Sequence, residues 1–263
     1  MEEFICEGVV IREKLRNESD KLLTILTPQF GKVFAYAKGV KNIAGKNAPA
    51  CQLFAFSEFH IVNSRGRRVV KSAIVKDIFY GMRSDAERFA LVSYFADVLN
   101  HVTVENNDET EAQRLFLNCI YALSNKQDIP LWLVKSAFEL RLCCVLGFMP
   151  DFTSCPVCGC ETVINKLNTF SFDMSAVICD DCKEKMKRQQ GALPFCTTVS
   201  CDVLEAMLHI CLADSKRFLS FKIDKSYAGE LSFICENYLI NKTERTYETL
   251  KIYKSIVNSL NTD

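Results

Sequence analysis

The chain has 263 residues, 49% of them hydrophobic and 24% charged, the proportions of an ordinary globular protein with room for one large domain or two to three small ones. That composition argues against long disordered tracts. The formal net charge is zero, yet residues 1–80 hold 13 Lys and Arg against 8 Asp and Glu, a basic excess of +5 that the remainder balances, so the first third is the part suited to an anionic partner.

In chain order, residues 1–80 read as β-structure. Phe4–Ile11 and Leu22–Thr27 form the first two strands, the second ended by Pro28 and Gly31. Lys32–Lys38 is a third, with Phe34 assigned to the core and Tyr36 open to either core or surface. Residues 41–50, with Gly45 and Pro49, form a loop. Phe54–Val62 and Val69–Phe79 flank the turn Asn63-Ser64-Arg65-Gly66-Arg67. Five short strands in about eighty residues fit a closed barrel of the oligonucleotide-binding (OB) kind.

The period changes at residue 84. Ser84-Asp85-Ala86-Glu87 reads as a capping box, with Val92, Phe95, Leu99 and Val102 following at helical spacing. A second capping box, Thr110-Glu111-Ala112-Gln113, leads to Phe116, Ile120 and Leu123. A third helix starts after Asp128 and Pro130, buries Leu131, Val134, Phe138, Leu142 and Val145, and stops at Gly147 and Pro150. After Pro194 the helical period resumes with Ser200 as N-cap, then Leu204, Met207, Leu208 and Cys211. Leu231, Ile234 and Tyr238 mark another helix, and Leu250–Val257 a last short one. The expected architecture is multi-domain α+β. An OB-fold barrel over 1–80 precedes an all-α domain over 81–263, which carries an inserted zinc segment at about 150–194.

That segment contains Cys155-Pro156-Val157-Cys158 and Cys179-Asp180-Asp181-Cys182, two Cys-x-x-Cys pairs twenty residues apart. This is the upper end of the spacing of a four-thiolate zinc site. Cys155, Cys158, Cys179 and Cys182 would close a tetrahedron around Zn²⁺ with no position left for water, so the metal would be structural. Gly159 supplies a turn after the first pair, and Cys160 reads as a bystander. The competing reading is a set of buried or redox-active thiols. The ten other cysteines mostly sit in apolar patterns as small buried hydrophobes. No run of about 18 apolar residues is present. Met1-Glu2-Glu3 is acidic and no long apolar run follows it, so no signal peptide is expected. A reducing, cytoplasmic compartment follows, where disulfides are rare.

No catalytic constellation is visible. His60, His101 and His209 lack neighbouring nucleophiles in sequence. There is no Gly-x-Ser-x-Gly, no Gly-x-x-x-x-Gly-Lys phosphate loop, and no His-x-Glu ahead of a Cys-x-x-Cys. The DNA-binding candidates are basic side chains at strand ends and turns. Arg12, Lys14, Arg16 and Lys21 surround the first turn, Lys38, Lys41 and Lys46 follow the third strand, and Arg65, Arg67, Arg68 and Lys71 crowd the last hairpin. Tyr36 joins them as a base-stacking candidate, on the same strand face as Phe34.

These pieces resemble a known family. Gly8-Val9-Val10, Glu18-x-Asp20 with Leu22–Thr27, Gly31-Lys32 and Lys38-Gly39 are similar to the N-terminal barrel of the bacterial RecO recombination and repair family. Phe138–Leu142, then Leu146-Gly147-Phe148-x-Pro150, then the two cysteine pairs follow the order of its helical domain and zinc segment. Asn42 departs from the family's frequent basic residue, and Ser175-Ala176 stand where it usually has glycines. The resemblance implies a non-enzymatic mediator that binds single- and double-stranded DNA and anneals complementary strands. It also implies contact with single-strand-binding protein, and joining with RecR to help load RecA. No membrane contact is implied, and the place of work would be the cytoplasm, at the nucleoid during repair. The alternative is a zinc-ribbon protein-interaction module of the transcription or translation machinery. A metal hydrolase would require an open coordination position on the metal.

Overall fold

The computed structural model describes residues 3–42, 45–162, 168–190 and 195–260. Alternation of inward apolar and outward polar side chains builds five strands: β1 (Glu3–Leu15), β2 (Lys21–Thr27), β3 (Gly31–Ala37), β4 (Phe56–Ser64) and β5 (Arg67–Asp77). They close into a barrel in the order β1-β2-β3-β5-β4. β4 pairs back onto β1, and β3 meets β5 in parallel. This is the five-stranded OB barrel expected from the sequence. Val10, Leu23, Ile25, Val33, Phe59 and Ile61 are among its core residues.

The expected place of Phe34 is corrected. Phe34 is not core but 39% exposed. Val33, Ala35 and Ala37 take the inward positions of β3, and the two-residue period leaves Lys32, Phe34 and Tyr36 on the outer face.

Helices α1 (Tyr80–Arg83), α2 (Ala86–Val102), α3 (Thr110–Asn125) and α4 (Leu131–Val145) follow. Then come β6 (Asn168–Ser171), β7 (Ala176–Ile178), α5 (Asp180–Gln190), β8 (Cys196–Val199), α6 (Cys201–Leu212), α7 (Ala228–Thr243) and α8 (Glu248–Leu260). Neither expected capping box forms. Asp85 is the N-cap of α2, its carboxylate accepting the Glu87 and Arg88 amides, while the Ser84 hydroxyl donates back to the Gly81 carbonyl at 3.3 Å. Thr110 is already inside α3, and its amide donates to the Asp108 carboxylate at 2.9 Å. In both cases a carboxylate captures the free amides, and negative charge is favoured at a helix N-terminus.

Packing gathers these elements into two compact units, residues 1–127 with 247–263, and residues 128–246. Residue 80 therefore marks the change of secondary structure, while α1, α2, α3 and α8 pack in the same unit as the barrel. The loop between α2 and α3 is bonded to the β2–β3 turn. The Lys32 amide donates to the Val104 carbonyl at 2.9 Å and the Glu109 amide to the Pro28 carbonyl at 2.7 Å. Gly31 sits at φ +60°, and a Cβ there would lie 2.1 Å from the Val104 oxygen, so no other residue fits this junction.

In the second unit α4 packs against α6 and α7. Lys135 bridges the fully buried Glu139 at 2.7 Å and Glu236 at 2.8 Å. Arg141 donates to the last carbonyls of α6, at Ile210 (3.1 Å) and Cys211 (2.5 Å). The inserted segment holds an antiparallel sheet in the order β7-β6-β8, which sequence reading did not find. β6 and β7 are buried along their whole length, so neither shows the alternation that identifies a half-buried strand.

Candidate nucleic-acid interface and metal centre

Two turns and the end of β3 form one end of the barrel. In the β1–β2 turn the Asn17 side-chain oxygen accepts the Ser19 amide at 2.9 Å and the Asp20 amide at 2.7 Å. Asp20 in turn accepts the Gly39 amide at 2.9 Å, tying this turn to the end of β3. The Gly39 amide first, then the Asn17 side chain, hold the Asp20 carboxyl below its ordinary range. It stays ionised and committed to the turn. The β4–β5 turn is a two-residue connection between the paired Ser64 and Arg67. Arg65 (φ 53°) and Gly66 (φ 75°) are both left-handed, the conformation whose twist matches a hairpin. Arginine is an unusual choice there, since a Cβ is strained at positive φ.

Together these segments line a cleft of about 960 Å³, bounded by Arg16, Asn17, Asp20, Tyr36, Lys38, Ser64, Arg65, Arg67 and Val69. Four cationic side chains share it with one carboxylate. The guanidinium groups of Arg16 and Arg67 lie 5.9 Å and 5.5 Å from the centre of the Tyr36 ring, within range of a cation–π contact. Of the predicted DNA-binding residues, Arg16, Tyr36, Lys38, Arg65 and Arg67 converge here.

The others lie outside the cleft. Arg12 pairs across to Thr24, and Thr24 to Phe34; Lys14 pairs to Leu22, and Leu22 to Tyr36. Directly paired residues share a face, so the outer surface of β1, β2 and β3 presents Arg12, Lys14, Phe34 and Tyr36 together. Lys41 and Lys46 are exposed on the loop after β3. Lys21 is paired with Glu13 at 2.9 Å, Arg68 with Glu105 at 3.2 Å and Lys71 with Glu3 at 3.2 Å. Sequence reasoning missed Phe34, Asn17 and Ser64. The parity of Phe34 with Lys32 was the signal that could have placed it outside.

The cysteine segment is held by Asp151. Its carboxylate accepts the Thr153 amide and hydroxyl, both at 2.7 Å, and the Ser154 hydroxyl at 3.0 Å. The Val177 amide donates to the Asp151 carbonyl at 3.1 Å. Ser175 takes φ 52° in the preceding turn, the left-handed conformation that a glycine adopts without strain. Cys155–Cys158 then form a tight knuckle, closed by the Gly159 amide on the Cys155 carbonyl at 2.8 Å, with Gly159 at φ 74°. Cys179 immediately precedes α5 and Cys182 lies in its first turn.

The sulfurs of Cys155, Cys158, Cys160 and Cys179 all lie within 4.8 Å of one another, and those of Cys158 and Cys179 are 3.6 Å apart. Cys182 packs in a cluster with Cys155 and Ile178, with Cys179 against it. Burial opposes ionisation of Cys155, but amides of Cys179, Val157 and Cys158 outweigh it and lower its pKa. The Cys160 amide, then its thiol, bring Cys158 down to about 6. An all-sulfur donor set, with amides favouring the thiolates of Cys155 and Cys158, could hold a soft or borderline metal ion. Cys160, a bystander by spacing, thus lies within the tight quartet, while Cys182 packs beside Cys155.

Among the described residues, no helix is long and apolar enough to cross a membrane. Two family models match the chain. The one described as Recombination protein O N terminal covers residues 1–79, and the one described as Recombination protein O C terminal covers residues 83–250. The chain is 31% identical over 249 residues to the DNA repair protein RecO of Acetivibrio thermocellus, covering 95% of each chain. It is 27% identical over 251 residues to that of Alkaliphilus metalliredigens, covering 95% of this chain and 98% of the relative. With that of Symbiobacterium thermophilum it shares 27% over 243 residues, 92% of this chain and 93% of the relative. Matched in both halves and along nearly its whole length, the chain belongs to the RecO family of DNA repair proteins.

Proposed function

We propose that this protein is a recombination mediator with no catalytic reaction of its own. It binds single- and double-stranded DNA through the barrel, anneals complementary strands, and acts with RecR to help load RecA on strands coated by single-strand-binding protein. The observation that carries this reading is the cationic cleft, where Arg16, Lys38, Arg65 and Arg67 surround Tyr36. Cations there neutralise backbone phosphates, and exposed aromatic faces accept bases without regard to sequence. The partners come from the resemblance of the chain to its family. Zn²⁺ held by Cys155, Cys158, Cys179 and Cys182 would supply structure only, since four thiolates exclude water from the metal.

Annealing needs no nucleotide on this reading. Base stacking supplies about 1.4 kcal/mol per step, and neutralised phosphates let two strands approach. The test is fluorescence-followed pairing of complementary strands without nucleotide, with and without single-strand-binding protein. Accelerated pairing is expected. Binding of both strands without acceleration, or a requirement for ATP, would overturn the proposal.

Arg65 provides a separate check, because its backbone is strained while its charge serves the ligand. Arg65→Asn should raise folding stability by up to about 1 kcal/mol, since asparagine tolerates left-handed φ. It should also weaken DNA binding. Denaturant melts and salt titrations measure the two effects, and a lower melt midpoint would contradict the strain argument.

A further inference from the structure

The motif spacing selects Cys182 as the fourth sulfur, whereas the tightest quartet of sulfurs contains Cys160 instead. We propose that both are right: Cys160 and Cys182 are alternate ligands of one metal, exchanging on a fixed base of Cys155, Cys158 and Cys179. This rests on reading the cluster as a zinc centre. With Zn–S bonds of about 2.3 Å, the edge of a sulfur tetrahedron is about 3.8 Å. Cys158 and Cys179 already stand 3.6 Å apart. The Cys160 sulfur lies within 4.8 Å of those of Cys155, Cys158 and Cys179, and Cys182 packs with Cys155, with Cys179 against the same cluster. Either can complete the set by a small side-chain rotation.

Each displaced thiol has a cheap resting place. Cys182 is 3% exposed and packs with Cys155 and Ile178, beside Met186. A neutral thiol is at ease there as a small hydrophobe. Cys160 is exposed, so its thiol rests in water. The three shared sulfurs are the anchored ones. The Gly159 amide on the Cys155 carbonyl, at 2.8 Å, closes the turn that holds Cys155 and Cys158, and Cys179 is fixed at the start of α5. In the exchange the Cys160 sulfur gives up its proton as it bonds to the metal. The Cys182 sulfur takes up a proton as its own bond breaks, so neither protons nor electrons change in number.

The test is metal content and sulfur count by X-ray absorption on the full chain purified with Zn²⁺. Cys160→Ser, Cys182→Ser and Cys182→Ala are compared with the double variant C160S/C182A. Alanine is included because a hydroxyl buried in an apolar wall carries its own cost. Each single variant should keep one zinc with four sulfur neighbours, and the double variant should lose a sulfur neighbour and release zinc to a chelator far faster. Loss of the metal from Cys160→Ser would make Cys160 an obligatory ligand and overturn the exchange. Loss from both Cys182 variants would overturn it in the other direction. A wild-type chain without zinc would overturn the zinc reading itself, a result distinct from either.

Discussion

Cys179→Ser is expected to abolish zinc binding and to unravel the segment around the knuckle. Cys179 belongs to both possible quartets and, fixed at the start of α5, is one of the three sulfurs on which either set is built. Apparent zinc-binding energies of about 10–16 kcal/mol in small zinc domains set the scale of the loss. The described part of this segment has short strands, a polar helix α5 and a cluster centred on Cys155, Ile178 and Cys182. Around the knuckle and the polar α5 that is too little apolar burial to hold them without the metal. Metal analysis should find no zinc, and hydrogen exchange should rise through residues 151–162 and 176–190. Amides of β2 and β3 should keep their protection, because the barrel has its own core. Full zinc occupancy in this variant would sink the assignment of the centre.

The second large effect concerns the cleft. Arg16→Ala, Arg65→Ala and Arg67→Ala together remove three cations that converge on Tyr36. For single-stranded DNA each lost phosphate contact lowers the slope of log K against log salt by about 0.7, so the triple variant should lose about two units of slope. Near 0.1 M salt this corresponds to about 10²-fold weaker binding. Arg68→Ala with Lys71→Ala is the control. Their charges are already answered by Glu105 and Glu3, so the loss should be much smaller. Equal slopes for wild type and triple variant would place the DNA elsewhere on the protein.

Local signals in the chain were enough for the barrel, the main helices and a cluster of cysteines that could hold a metal. Strand parity, the turn at Arg65-Gly66 and the stops at Pro28 and Gly31 are short-range features, and they specify five strands whose only compact closure is a barrel. The cysteine pairs are equally local, since each knuckle is formed by four consecutive residues. The order of motifs along the whole length was enough to suggest the family. What sequence could not supply was anything that depends on which distant segments meet. Arg16, Tyr36 and Arg67 come from three different strand ends and become neighbours only through the pairing registers of β1, β2, β3 and β5. The same registers hold Phe34 outside, beside Arg12. Cys160 looked like a bystander because spacing counts residues, whereas the knuckle's left-handed Gly159 swings the next sulfur back toward the centre. The helix α8, read only as a last short helix, belongs to the barrel's unit through its packing on α2, about 150 residues away in sequence and so beyond any local signal. Side-chain chemistry and local period are written in the chain one residue at a time. Convergence is decided by register and turn handedness, which only the folded structure resolves.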